Sequence, residues 1–427
     1  MSISVTNETG ALQRIAIHRP GSEIELMLPE NIEAFAEGPD GHIRENPDYL
    51  LFDDLVLLSR LREEHDQLTK VLRAACGDHE VFEVGSLFQE MFHEEPVRRG
   101  VVEEVLAAEE ALWGENLEPC ARDLLLDLGA EELSRSLIRG TLPSGERLLK
   151  WPSPNLLFAR DIFAVVGQRV LLTYACKPGR SREMLLTRAL FRHHPEFREI
   201  PTLDIASLVK KPSIEGGDVM VLGDGLVAIG VGERTDLESA QAAAQLLLAT
   251  GTRRVYRVEL GVSRSTMHLD TIFTLTGHGS CLVYAPLLLE PGAMRVVALE
   301  AKPDGTLSET LRHGSFLDIL GEDGLELEAI PCGGEDAGSQ AREQWSDGAN
   351  AFALAPGKIL LYARNEHTLR RLNAGGFEVL SPDEFCRNAA LLLSDDERKV
   401  VVALEGFELS RGRGGPRCLT LPLLRRN

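Results

Sequence analysis

The run DIFAVVGQRVLLTY at residues 161–174 is an acidic head, a short apolar strand, a Gly-containing turn and a second apolar strand. Its β-branched residues, short segments and turn chemistry favour a hairpin over a buried helix. The same grammar returns in DVMVLGDGLVAIG at 218–230, DTIFTLTGHGSCLVYAP at 270–286 and NAFALAPGKILLYAR at 350–364. A fifth copy is split between the chain ends: CLTLPLL at 418–424 supplies a head and a strand, and GALQRIAIHR at 10–19 supplies a turn and a second strand. Pairing the last strand with the first would close five units into a ring without exposed sheet edges. Such a ring would present Asp161, Asp218, Asp270, Asn350 and Cys418 near a common axis. The competing reading is five ordinary hairpins whose leading polar residues are solvated caps.

Helical periodicity falls between the hairpins, in SREMLLTRALFRHH (181–194), DLESAQAAAQLLLAT (236–250) and EHTLRRLNAGG (366–376). A further helix over 55–76 precedes the short strand HEVFEV (79–84). Hairpins alternating with covering helices predict an α/β protein. Residues 85–146 carry successive helical patterns and no hairpin signal, so they read as an all-helical insert. The expected division is a catalytic domain from 1–84 and 147–427, closed by the paired chain ends, with the insert at 85–146.

The 427 residues carry 45 basic and 66 acidic side chains, a formal charge of −21. That balance disfavours phosphate backbones and anionic membranes as partners, while a cationic small molecule would be attracted. No apolar run approaches the roughly 20 residues of a membrane helix. The first residues lack a basic stretch followed by an apolar one, so a cytoplasmic location is expected. The seven cysteines are scattered and form no CxxC pair, which fits a reducing compartment.

Several motifs sit at the hairpin heads. PSPNLLFARD (152–161) groups Asn155, Phe158, Arg160 and Asp161, a set that suits a ligand with charged and aliphatic parts, or a capped turn. IEGGDVMVLG (214–223) sets Glu215 and Asp218 around two glycines, which permit close backbone approach or mark a strand bulge. STMHLDTIF (265–273) places His268 and Asp270 two apart in a predicted strand, on one face by alternation. A metal pair there lacks partners at suitable spacing, and an acid/base histidine beside a binding carboxylate reads better, with a structural strand histidine as the alternative. SRGRGGPRCLTLP (410–422) puts a Gly-rich basic loop before Cys418, where Arg411, Arg413 and Arg417 would favour thiolate. A buried cysteine, a phosphate loop and an RNA contact compete; the loop lacks a following GK[ST], and the acidic whole disfavours RNA. REQWSDGANAF (342–352), around Trp345 and Asn350, reads as a structural hairpin lead. Taken together, a cysteine, a histidine and the carboxylates of Asp161, Glu215 and Asp270 suit a planar cation accepted by several charged hydrogen bonds, which is guanidinium.

These motifs, with IAIHRPG (15–21), LLFDD (50–54), GVGERT (230–235), EQWSDGAN (343–350) and GRGGPRC (412–418), resemble in order those of the arginine deiminases, of the guanidine-modifying superfamily. The resemblance covers nearly the whole chain. It implies a five-fold pseudosymmetric α/β propeller of ββαβ units with a helical insert, and hydrolysis of L-arginine to L-citrulline and ammonia through a cysteine thiouronium. By resemblance Cys418 is the nucleophile, His268 the general acid/base, Asp161 and Asp270 the guanidinium grip, and Glu215 the support of histidine and substrate. Arg180 and Arg234 look like the clamp for the α-carboxylate, with Asn155 towards that end and Phe158 on the aliphatic stem; Arg413 matches the mobile-loop arginine. The implied mechanism needs water but no metal or organic cofactor, and implied assembly is a homo-oligomer, dimer or tetramer. Two departures stand out: the segment before LLFDD is longer than the family's, and Arg417 precedes the cysteine where some members carry histidine. The rival functions are an arginine dihydrolase or amidinotransferase of the same fold, and a non-catalytic arginine sensor.

Overall fold

A computed structural model describes residues 1–38, 40–114 and 120–426. Turn chemistry fixes the hairpins. Phe163–Val166 pairs antiparallel with Arg169–Leu172, Val219–Gly223 with Leu226–Gly232, Phe273–Gly277 with Ser280–Val283, and Phe352–Ala355 with Lys358–Tyr362. Each tight turn places one glycine in the left-handed region, at φ 59° for Gly167, 73° for Gly225, 72° for Gly279 and 72° for Gly357. A side chain with a Cβ resists that conformation, so the glycines set where each strand reverses.

After each hairpin the chain crosses to a third strand that pairs parallel with the hairpin's second. These strands are Thr202–Leu203, Arg254–Gly261, Glu328–Pro331 and Lys399–Leu404. The connections carry the helices Ser181–His193, Leu237–Ala249, Phe316–Glu322, and Glu366–Ala374 with Pro382–Ser394. Parallel neighbours need such crossovers, and the helices cover the sheet faces. The fifth sheet joins the chain ends: Ala11–Ile17 runs antiparallel to Leu421–Arg426, from the Ala11–Arg426 pair to Ala16–Leu421, and parallel to Val81–Glu83. The helix Leu58–Cys76 lies in its connection. The architecture is mixed α/β, and among the described residues no sheet closes into a barrel.

Three local features differ from the sequence reading. His268 and Asp270 do not lie in a strand. His268 precedes the 3-10 turn Leu269–Thr271 and the strand starts at Phe273, because the Asp218 carboxylate accepts the Leu269 N–H at 2.9 Å and bends the chain there. A further hairpin, Arg295–Ala301 with Leu307–Arg312, extends the second sheet; its Pro303-Asp304-Gly305 turn is a legible signal that the reading passed over. The long segment before LLFDD contains a two-stranded ribbon, Phe35–Glu37 with Ile43–Glu45.

The stretch read as an insert contains the helices Val84–Met91, Glu95–Trp113, Ala121–Leu126 and Ala130–Arg139; residues 115–119 within it lie outside the described residues, as does Pro39 in the long segment. Phe88, Val102 and Leu137 belong to one apolar cluster with Phe163, Val170 and Leu190 of the first unit. A buried ion pair, Arg182 to Glu109 at 2.8 Å, ties the same surfaces. The helices therefore share a core with the first unit. Among the described residues no helix is long and apolar enough to cross a membrane.

Candidate active site

Short 3-10 turns, Ala159–Ile162, Gly216–Asp218 and Leu269–Thr271, stand immediately before or one residue before the first strands of three hairpins and carry Asp161, Asp218 and Asp270. They pack by backbone approach. The Gly217 N–H donates to Asp161 Oδ1 at 3.0 Å, and a Cβ on Gly217 would stand 2.6 Å from His268 Nδ1 and 2.9 Å from that same oxygen. Neither neighbour can yield, since the imidazole and the carboxylate are both held by hydrogen bonds. Gly217→Ala is expected to lower kcat by on the order of 100-fold through misplacement alone. Turnover measured beside a thermal melt checks this; an active, equally stable variant would show the approach to be slack.

His268 is the centre of a buried acidic nest. Its Nε2 lies 3.0 Å from Glu215 Oε2, and its Nδ1 3.9 Å from Asp161 Oδ1. Burial opposes its charge, but Asp161, Glu215 and Asp218 outweigh burial and raise its pKa to about 9. Glu215 is held well below the usual carboxylate range: burial works against this, and Arg234, His268 and Arg180 overcome it. Asp218 is pushed up to about 7 by burial and is occupied by Thr235 at 2.6 Å and the Leu269 N–H, so it holds the turn and not a ligand.

Two arginines complete the nest. Arg180 does not face outward, as a carboxylate clamp would. It donates to Asp161 Oδ2 at 2.5 Å, Glu183 at 2.9 Å, Glu215 at 3.4 Å and the carbonyl oxygens of Asn155 and Phe158. Arg234 Nη1 is 3.5 Å from Glu215 Oε2, and its Nε donates to Glu233 at 3.0 Å. Sequence spacing offers the His268–Asp270 pair no partners, but in space Asp161, Glu215 and His268 offer atoms within 4.8 Å of one another, brought together from three separate hairpin leads. Arg180 lies against both carboxylates.

Cys418 lies beside this nest. Its Sγ is 3.7 Å from Asp270 Oδ2, and it is buried. Burial raises its pKa well above the ordinary thiol value, Asp270, Asp161 and Asp347 add to that, and Arg417 pulls the other way. These surroundings favour the thiol, contrary to the expectation that the basic loop favours thiolate. Of the three loop arginines, Arg411 pairs with Asp54 and Glu408 at the surface, and Arg413 lies 3.8 Å over the Trp345 ring and donates to the Trp345 carbonyl. Of the three, Arg417 is the one that hydrogen-bonds a carboxylate beside the sulfur, donating to Asp270 Oδ2 at 2.7 Å. The loop itself is packed inward, and a Cβ on Gly414 would collide with the Phe158 ring.

Asn155 and Phe158 line the same wall. The Asn155 amide donates to the Leu50 carbonyl at 2.6 Å, and the Phe158 ring lies 5.5 Å from that of Phe52. Asn350, expected to be a structural hairpin lead, holds the Cys418 backbone: its Oδ1 accepts the Arg417 and Cys418 N–H groups at 3.0 and 3.1 Å, and its Nδ2 donates to the Asp270 carbonyl at 2.9 Å. Its position as fourth head of the repeat was the signal. Asp270 Oδ1 and Glu215 Oε1 are among the buried carboxylate oxygens without a hydrogen-bond partner in the described residues, with Asp53 Oδ2, Glu183 Oε1 and Asp347 Oδ2.

Comparison with known proteins agrees with this chemistry. The family model for arginine deiminase matches residues 48–425. The arginine deiminase of Listeria monocytogenes serotype 4b is 33% identical over 452 aligned residues, covering 100% of this chain and 98% of that protein. The arginine deiminase of Clostridium perfringens is 30% identical, with 99% and 98% covered. Among solved structures, a DDAH mutant from Pseudomonas aeruginosa complexed with citrulline aligns with 96% of this chain and 99% of that one, at 12% identity and a TM-score of 0.47. With the family model spanning most of its length and full-length relatives at this identity, the chain belongs to the arginine deiminase family.

Proposed function

We propose that this protein hydrolyses L-arginine to L-citrulline and ammonia, with Cys418 as nucleophile and His268 as acid and base. The observation that carries the reading is the pair of buried, unpartnered carboxylate oxygens, Asp270 Oδ1 and Glu215 Oε1, in a site whose thiol lies 3.7 Å from Asp270. A buried carboxylate oxygen without a donor is costly, and a guanidinium supplies several donors in one plane. Asp161 becomes available when Arg180 turns from it to the substrate α-carboxylate, beside Arg234.

Binding of the cation lowers the thiol pKa, and the proton leaves to solvent because His268 is already charged below about 9. The thiolate adds to the guanidinium carbon; His268 gives its proton to the departing nitrogen, and ammonia leaves a thiouronium on Cys418. The neutral imidazole then takes a proton from water as the oxygen adds. Cleavage of the C–S bond gives the ureido product and returns the sulfur.

Around this site we read five ββαβ units as a propeller, with 1–84 and 147–427 as the catalytic domain and 85–146 as its helical insert. The pairing of the chain ends and the five sheets of like order support that layout. The proposed setting is a cytoplasmic homo-oligomer acting on a free small molecule.

Incubation with arginine, agmatine and other guanidines, with ammonia, citrulline and ornithine measured, tests the reaction. Ammonia and citrulline in equal amounts are expected; ornithine would indicate a dihydrolase, and amidino transfer to an added amine a transferase. Agmatine lacks the α-carboxylate, so Arg234→Ala is expected to damage arginine turnover far more than residual agmatine turnover. Losing a buried charged pair costs about 2–5 kcal/mol, which is on the order of 30- to 4,000-fold in kcat/KM. Equal losses on both substrates would make Arg234 a structural residue.

A further inference from the structure

Behind the nucleophile lies a buried charged chain that the proposed mechanism leaves without a task. Glu8, ahead of the first strand, is buried; its Oε1 accepts from Arg417 Nη2 at 3.0 Å and from the Val221 N–H at 3.4 Å. Its Oε2 accepts from Arg417 Nε at 3.4 Å and lies 3.7 Å from Arg160 Nη1. One edge of the Arg417 guanidinium is thus clamped on Glu8. The remaining nitrogen, Nη1, is left to donate to Asp270 Oδ2, the oxygen that faces the sulfur. Arg417 also donates to the Val219 carbonyl at 3.0 Å, and the chain at Arg417 and Cys418 is pinned by Asn350, so the guanidinium has little freedom.

We propose that Glu8 is a positioning residue: by clamping Arg417 it limits that arginine to one oxygen of Asp270, keeps the other open for substrate, and sets how much positive charge the Cys418 sulfur feels. The proposal rests on Cys418 as the nucleophile. The charged and titratable groups facing the sulfur are Asp270, Asp161, Asp347, Arg417, Arg413 and Tyr362. Those facing Arg417 are Glu8, Asp270, Arg160 and Arg425. Glu8 faces three buried guanidiniums, Arg417, Arg160 and Arg425, and carries charge down to about pH 2 although burial opposes it. Neutralising Glu8 uncovers positive charge behind the sulfur, whereas neutralising Arg417 uncovers negative charge. The two changes must therefore move the thiol in opposite directions, which a packing role does not require.

The test is the rate at which iodoacetamide, an uncharged reagent, alkylates Cys418 of the substrate-free enzyme at pH 8, resolved from the other cysteines by peptide mapping. Well below its pKa a thiol reacts through its thiolate fraction, and because a less basic thiolate is also less nucleophilic, a change of one in the pKa reads as roughly three- to tenfold. Glu8→Gln is expected to raise the rate on the order of tenfold and Arg417→Gln to lower it as much, with Glu8→Asp and Arg417→Lys within about threefold of wild type. Should Arg417→Gln fail to fold, the Glu8→Gln and Glu8→Asp pair still decides. A Glu8→Gln rate equal to wild type, or both glutamine variants moving the same way, overturns the proposal. Alkylation does not depend on turnover, so an error in the nucleophile assignment would surface separately, as an active Cys418→Ala enzyme.

Discussion

Cys418→Ala is expected to lose citrulline formation by on the order of 10,000-fold or more, because no other group can form the covalent intermediate. Arginine should still bind. In the proposed mechanism the grip is made by carboxylates and arginines on other units, and the residue removed is a thiol whose pKa burial holds well above the ordinary value. Calorimetry should therefore find binding to the alanine variant, without the proton release that accompanies binding to wild type. Intact-protein and peptide mass spectra of quenched wild-type turnover should place a substrate adduct on Cys418. An adduct on any other of the seven cysteines, or turnover in the variant, would remove Cys418 from the mechanism.

His268→Ala is expected to cost on the order of 100- to 10,000-fold, the usual scale of lost acid–base catalysis. In the proposed mechanism the histidine serves both stages in opposite protonation states. Any slow first stage in the variant would leave the adduct stranded on Cys418, so single-turnover ammonia release should exceed citrulline formation. Citrulline at near the wild-type rate would reduce His268 to a structural residue. The same group sets a pH window. Its folded pKa of about 9 exceeds the ordinary 6.5, so the charge it contributes to stability is fully present below 6.5 and is lost as pH rises through about 9. The acid needed for ammonia departure disappears over the same range. Wild-type kcat/KM should fall on the alkaline side near that pH, and the limb belongs to His268 together with the Glu215 it is hydrogen-bonded to.

Much of the hairpin framework was legible because its determinants are local: strand alternation and a glycine at each reversal. The heads of those hairpins led to Asp161, Asp270 and Cys418 for the same reason. What escaped the sequence is what depends on distant partners. Glu8 belongs to no local pattern, and its meaning comes from an arginine 409 residues away. Asn350 looked like a turn residue because its two roles, towards the Cys418 backbone and the Asp270 carbonyl, join two other units. The direction of Arg180, onto Asp161 and Glu215, is a matter of which acids surround it in space. The 3-10 turns that carry the heads also left no periodic signature, being too short to have one.

The pairing of Ala11 with Arg426 also has a kinetic side. Loop-closure entropy grows by only about 0.6 kcal/mol per doubling of length, so joining the chain ends costs little at equilibrium. Synthesis is another matter. At the usual ribosomal pace the first strand waits on the order of 20–80 s for its last partner, with its edge uncovered. During that wait the nascent chain already carries Asp161, Glu215 and Asp270 but not yet Cys418. In the proposed mechanism the domain could therefore turn over substrate only after Cys418 has been made, and until the strand that follows it pairs, the first strand keeps one open edge.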